Sequence, residues 1–239
     1  MATTTLERTI GELVAERPAR ARVFEGFKID YCCGGKKPLA DACQAKGIDP
    51  QVVLNMLRIV DESAPTEERD WSKATITELC DNIESTHHAY LKRDFPRLEF
   101  MARKVAGRHG DHHPELVELR DTFLAMKDEM EQHMLKEEQI LFPLCRKLDQ
   151  GQATAGAHCG SVQNPIRVMM QEHDDTGHAL EKMRELTNGF TPPEDACNTY
   201  RAYFDALAEL ERDMHRHVHK ENSVLFPKAV EAERQLTQR

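Results

Sequence analysis

The chain has 239 residues, enough for one large domain or for a small and a medium one. Its 41 acidic and 32 basic residues give a net charge of −9 without a concentrated basic stripe, which argues against nucleic acid as a partner. Aromatic residues are only 6% and no run of Val, Ile and Tyr alternates, which argues against a large sheet; no run approaches the roughly 18 apolar residues of a membrane span.

The N-terminal segment MATTTLERTIGELVAERPAR lacks the apolar core of a signal peptide, so the expected location is the cytoplasm. Leu6, Ile10 and Leu13 lie at i, i+4 and i+7 and predict a first short helix. Pro18 opens a second, since proline suits the first helical position. DYCCGGKK, with two glycines after Cys32 and Cys33, predicts a turn. PLADACQAKG is a short helix stopped by Gly47, and DPQVVLNMLRIVDE a longer one capped by Asp49. This sets residues 1–61 apart as a small helical domain. The polar, proline-containing stretch over 62–72 reads as a linker that Trp71 anchors to the C-terminal part of the chain.

Residues 73–239 predict four long helices. The first runs to about Ala106 with a candidate kink at Pro96, and the second from about Pro114 to Leu148. A Gly-rich loop over 149–165, containing Cys159, precedes a third helix from Pro165 to Asn188. The fourth is expected from Pro193 to Arg234. Amphipathic helices joined this way suggest an antiparallel four-helix bundle, and the fold class is all-α.

One phrase occurs twice. HMLKEEQILFP at 133–143 and HVHKENSVLFP at 217–227 share His, Lys, Glu, Leu, Phe and Pro at matching offsets. His133 and Glu137, like His217 and Glu221, are four residues apart and share a helix face. Leu141 and Leu225 lie four residues further along, so the His and Glu point the same way as the apolar stripe, into the bundle. A glutamate there is costly unless its charge is compensated, and two would repel each other. A pair of metal ions removes both problems. An isolated HxxxE pair is usually a surface couple; two pairs collinear with apolar stripes are not.

The other helices should supply further ligands. His173 shares a stripe with Met169, Leu180 and Met183. On the first helix, the upstream stripe of Ile76, Leu79 and Ile83 turns His87 inward, whereas the downstream stripe of Leu91, Phe95 and Leu98 favours His88. Periodicity leaves both open. Each half of the bundle is then a helix with one His followed by a helix with HxxxE. Four imidazoles and two carboxylates complete two metal ions, and suit iron, manganese or zinc rather than copper(I). The row Met126, Met130, Met134 reads as packing.

These motifs resemble the iron-sulfur cluster repair proteins, a di-iron family in which a small domain marked by DYCCGG precedes a hemerythrin-like bundle. The resemblance covers nearly the whole chain: DYCCGG at 30–35, HMLKEEQILFP, EHDDTG at 172–177 and HVHKENSVLFP occur in the family's order. It implies the metal ligands His88, His133, Glu137, His173, His217 and Glu221, with the glutamates bridging. His88 is selected because the family's first ligand stands eight residues before a proline, here Pro96. The implied cofactor is two non-haem, oxo-bridged iron ions per chain. Glu129, Glu172 and His109 match acidic or histidine positions near the family's site; surface or capping roles are equally open to them.

The resemblance further implies repair of iron-sulfur proteins damaged by nitric oxide or peroxide, by donation of iron. Damaged iron-sulfur proteins would be the partners and nitric oxide or O2 the small ligand, with a monomer or homodimer working away from membranes and nucleic acid. Two other functions fit a di-iron bundle: an O2- or NO-binding sensor, and a redox enzyme acting on nitric oxide. Oxygen-carrying hemerythrins use five histidines and lack the DYCCGG domain, which speaks against reversible O2 carriage. Cys32 and Cys33 are the expected redox or transfer thiols, with Lys36 and Lys37 expected to lower a thiol pKa.

Overall fold

The computed structural model describes residues 6–62, 70–152 and 160–238. Among the described residues the N-terminal part is built mainly from α1 (Ile10–Glu16), α2 (Ala21–Gly26), α3 (Leu39–Ala45) and α4 (Pro50–Glu62). Thr9 starts α1 in a reciprocal capping box with Glu12, satisfying backbone N–H groups that a helix start leaves unpaired. Pro18 begins a 3-10 turn, Pro18–Arg20, that leads into α2. Leu13, Phe24, Leu39, Cys43 and Val53 pack into a core private to these helices.

The cysteine loop between α2 and α3 is organised by one carboxylate. Asp30 Oδ1 accepts from the N–H groups of Cys32 at 2.9 Å and Cys33 at 3.1 Å, and Oδ2 from Gly34 at 2.8 Å. The loop is then tied to α1, where Gly11 N–H donates to Gly35 O at 2.8 Å. A Cβ on Gly11 would stand 2.6 Å from Ser223 Oγ and 3.0 Å from Gly35 O. Glycine at this point lets α1 meet both the loop and the bundle.

Residues 63–69 of the linker and Cys159 lie outside the described residues. Asp70 caps a 3-10 turn, Trp71–Lys73. Trp71 packs on the bundle core, with the Lys220 ammonium 4.8 Å from its ring centre.

Among the described residues, four helical rods follow. The first comprises α5 (Ile76–Asn82), a π turn (Ile83–His88) and α6 (Ala89–His109), running through Pro96 without a break. The second comprises α7 (Glu115–Lys136), a π turn (Glu137–Leu141) and α8 (Phe142–Asp149). The third is α9 (Gln163–Leu186). The fourth comprises α10 (Asn198–Lys220), a π turn (Glu221–Leu225) and α11 (Phe226–Thr237). The second rod packs against the first and third, and the first against the fourth, in an antiparallel bundle.

The fourth rod starts five residues later than Pro193, where the sequence predicts it. The Arg201 side chain reaches back to the carbonyls of Pro193, Glu194 and Ala196 at 3.0–3.3 Å, fixing that segment as a turn instead of a helical start. The third rod likewise begins at Gln163, slightly ahead of Pro165.

The bundle has two apolar cores. One is built around Phe95, Phe123, Met130, Phe204 and Leu210, the other around Leu79, Phe142, Met169 and Phe226. Between them lies a polar layer. Three of the four rods carry their π turn at this layer, and π turns recur at functional sites. In the second and fourth rods, Phe142 N–H donates to Glu137 O and Phe226 N–H to Glu221 O, each five residues back. Pro143 and Pro227 follow directly, where the shifted ladder has least need of an N–H. The LFP of the repeated phrase therefore marks a change of helical register as well as packing.

Candidate metal centre

The polar layer gathers His88, His133, Glu137, His173, His217 and Glu221, each at most 1% exposed. Their donor atoms fall into two groups: His88, Glu137, His217 and Glu221, and His133, Glu137, His173 and Glu221. Both glutamates belong to both groups. Glu137 turns Oε2 to His88 Nε2 and Oε1 to His133 Nε2, each at 3.3 Å. Glu221 turns Oε1 to His217 Nε2 and Oε2 to His173 Nε2, each at 3.0 Å. Each carboxylate thus offers one oxygen to each group.

The donors fit a pair of cations. His133 Nε2 and His173 Nε2 stand only 3.1 Å apart, two imidazole nitrogens aimed at one point. His88 Nε2 and both carboxylate oxygens of Glu137 are buried without a hydrogen-bond partner among the described residues. Such groups are costly in an apolar interior, and cations between them would complete them all. Nitrogen and oxygen donors without a thiolate suit iron, manganese or zinc.

The outer nitrogens show how the rings are held. His88 Nδ1 pairs with Glu138 Oε1 at 2.7 Å, and His173 Nδ1 with Asn222 Oδ1 at 3.0 Å. Glu138 and Asn222 each follow a shared glutamate, at one offset of the repeated phrase, and each holds the ring on the other rod of its own hairpin. His133 Nδ1 pairs with Glu172 Oε2 at 2.9 Å, and Lys136 also binds Glu172. An Nδ1–H so engaged leaves Nε2 with a free lone pair for a metal. Sequence reading missed Glu138 and Asn222; the residue after each repeated glutamate was the available signal.

The fourth imidazole breaks the pattern. His87 precedes His88 as Glu172 precedes His173, yet it stacks on the His217 ring, with centroids 5.3 Å apart and planes 4° apart. His217 Nδ1 has no hydrogen-bond partner among the described residues. His87 itself pairs through Nδ1 with Asp213 Oδ1 and through Nε2 with Lys220 Nζ, each at 2.9 Å. Burial, ahead of these partners, lowers its pKa to about 4 and keeps the ring neutral. His88 therefore belongs to the donor set and His87 stands beside it. The π turn over Ile83–His88 explains why the upstream and downstream stripes disagree by one residue.

Charge is balanced within the layer. Burial and Glu221 push Glu137 up, but His133 and His88 outweigh them and hold it below its ordinary value. Burial opposes ionisation of Glu221 as well, and His217 and His173 hold it well below. Burial lowers His133, whereas Glu137 and Glu172 raise it further, up to about 10. That lies above its ordinary 6.5, so without metal the ring is protonated at pH 7.5. A cation can take Nε2 only as that proton leaves. Loading the metal-free protein at pH 7.5 is expected to release protons, from His133 above all and from His88, which burial opposes but Glu137, Glu221 and Glu138 raise, and affinity is expected to rise with pH up to about 10. Calorimetric titrations in buffers of different ionisation heat measure the release; no proton release would show His133 to be neutral.

The other expected residues divide. Glu172 reaches the layer. Glu129 is exposed on α7 one turn before His133 and is not brought in. His109 ends α6, 21 residues beyond His88 and so about 30 Å along the rod. There it meets Cys197 Sγ at 3.3 Å and the Tyr200 ring, at the opposite end of the bundle from the layer.

The cysteine loop docks against the third rod. Cys33 Sγ lies 3.4 Å from the carbonyl of His173, and Cys32 joins the bundle core. The two sulfurs are 3.9 Å apart. The expectation that Lys36 and Lys37 would lower a thiol pKa is not met at Cys32. Its thiol is raised well above the ordinary value by the Cys33 thiol, by burial and by Asp30.

Comparison with known proteins agrees with this layout. Residues 6–61 match the ScdA_N family, described as a domain of unknown function, and residues 81–229 match the hemerythrin HHE cation binding domain. The chain is 36% identical over 228 residues to a protein of Dickeya chrysanthemi, covering 95% of this chain and 98% of that one. It is 38% identical over 224 residues to one of Edwardsiella ictaluri, covering 94% and 97%, and 37% identical over 228 residues to one of Escherichia coli O157:H7, covering 95% and 98%. All three relatives are named iron-sulfur cluster repair protein YtfE.

Proposed function

The chain belongs to the family of iron-sulfur cluster repair proteins, and on that premise we propose that it is a di-iron protein which restores damaged iron-sulfur clusters by donating iron. The observation that carries the reading is the pair of donor groups sharing Glu137 and Glu221 in one buried layer. In this reading His88 and His217 would hold one iron and His133 and His173 the other, with Glu137 and Glu221 common to both donor groups. Iron held there would supply a metal that changes oxidation state and can be handed on.

The chain's own groups hold the imidazoles, keep Nε2 available and exclude water. Phe142 stacks beneath His88 with centroids 5.7 Å apart, and Phe226 beneath His173 at 5.9 Å. Cys33, on the backbone of His173, places a sulfur close to the layer for redox or transfer work. A cytoplasmic setting, damaged iron-sulfur proteins as clients and nitric oxide or O2 as the small ligand complete the proposal. Among the described residues no helix is long and apolar enough to cross a membrane.

The test is repair itself. An iron-sulfur enzyme inactivated by nitric oxide is expected to regain activity with the iron-loaded protein and not with Glu137→Leu/Glu221→Leu. Equal recovery with both would refute the proposal. Metal analysis should find about two iron per chain with oxo-bridge absorption bands; one zinc per chain would overturn the di-iron reading.

A further inference from the structure

The place where the duplicated pattern breaks opens onto a cavity. Behind His87, between the N-terminal helices and the fourth rod, lies a space of about 430 Å³. That is within the range of sites that enclose small organic ligands, and such sites favour junctions between packed units. Val14, Ala21 and Trp71 form apolar walls. His87, Asp213 and Lys220 form a polar floor, and the exposed Arg22 and Arg216 stand at the lining's edge.

The charge of this lining is opposite to that of the chain. The protein carries −9 overall, yet three cationic side chains face the cavity against one carboxylate. That carboxylate is engaged through Oδ1 by the neutral His87, and its Oδ2 is buried without a hydrogen-bond partner among the described residues. Lys220 is engaged by Asn82 Oδ1 at 2.6 Å and by His87. Arg22 and Arg216 make no ion pair among the described residues. Two uncommitted guanidiniums beside an apolar slot and a tryptophan are the donor set for an acid group carried on a flat ring.

We propose that this cavity binds a small planar organic anion, its ring against the Trp71 wall and its acidic group between Arg22 and Arg216. The stacked pair His87–His217 leads from the cavity to the donor layer. Resting on the di-iron reading, a redox-active ring seated here would be one imidazole away from a metal ligand, so a flavin phosphate is the chemical class to try first.

Trp71 is the only tryptophan in the chain, so its emission reports occupancy directly. The full-length metal-free protein is titrated with flavin mononucleotide, following Trp71 fluorescence and the calorimetric stoichiometry in parallel. The expected result is saturable binding of one molecule per chain. Riboflavin, which lacks the phosphate, should bind at least tenfold more weakly, as should flavin mononucleotide to Arg22→Gln/Arg216→Gln. Both arginines are exposed, so the variant should keep the parent circular dichroism. No saturable binding, or equal binding by parent and variant, would overturn the proposal. Because the titration uses metal-free protein, its failure is distinct from failure of the iron-repair reading.

Discussion

Iron loading is expected to raise the melting temperature of this protein by more than about 10 °C, and Glu137→Leu/Glu221→Leu is expected to abolish that rise. The reason lies in the buried layer. Glu137 and Glu221 are fully buried carboxylates 84 residues apart in sequence and side by side in the fold. Without metal only the four imidazoles compensate them. A ligand at a thousandfold excess over its Kd stabilises the folded state by about 4 kcal/mol per site. For a chain of this size about 1 kcal/mol moves the midpoint by about 2–4 °C. Occupying one group therefore moves the midpoint by about 8–16 °C, and occupying both by about twice that, which clears the threshold. The double variant removes only one partner of each buried pair and leaves the imidazoles without their carboxylates, which is destabilising. The metal-free double variant should thus melt below the metal-free parent, while iron leaves its midpoint unchanged. Calorimetry of the four samples decides; a double variant that still gains stability from iron would sink the bridging assignment.

The layer was legible in sequence because duplication doubles a weak signal. One HxxxE pair at helical spacing is common on surfaces, whereas a second copy aligned with Leu, Phe and Pro fixes a face. The four rods were legible for the same reason: each carries a long apolar stripe. What stayed hidden is local and physical. A π turn is one extra residue in a helical ladder, and sequence shows it only as two stripes one residue out of phase, as around His87 and His88. Arg201 reorganised the start of the fourth rod through three carbonyls, an interaction with no periodic trace. At Cys32 the neighbouring lysines suggested the wrong sign, because the Cys33 thiol, burial and Asp30 act at shorter range than charges across a turn. His109 was expected near the site only through the family resemblance, and helical rise carries it to the far end.

The two donor groups should also differ in how firmly they hold metal. In the His133–His173 group both outer nitrogens are engaged, by Glu172 and Asn222. In the His88–His217 group only His88 is, by Glu138. An outer partner fixes ring orientation and raises ligand basicity, and its loss costs about 10–100-fold in metal affinity. Glu138→Gln keeps the shape and an oxygen acceptor but removes the charge, leaving neither outer nitrogen of the His88–His217 group with an anionic partner. That variant is expected to lose one of its two metals to a chelator at least tenfold faster than the parent, and to retain the other. Glu172→Gln should loosen the opposite metal, also disturbing Lys136, which shares that carboxylate. In the parent, stripping should be biphasic, the His88–His217 metal leaving first. Stopped-flow chelation of the three proteins measures both phases. A single phase in the parent, unchanged in Glu138→Gln, would show that the outer partners do not set metal retention. A biphasic result would give iron donation a direction, because the loosely held metal is the one beside His87 and the cationic cavity.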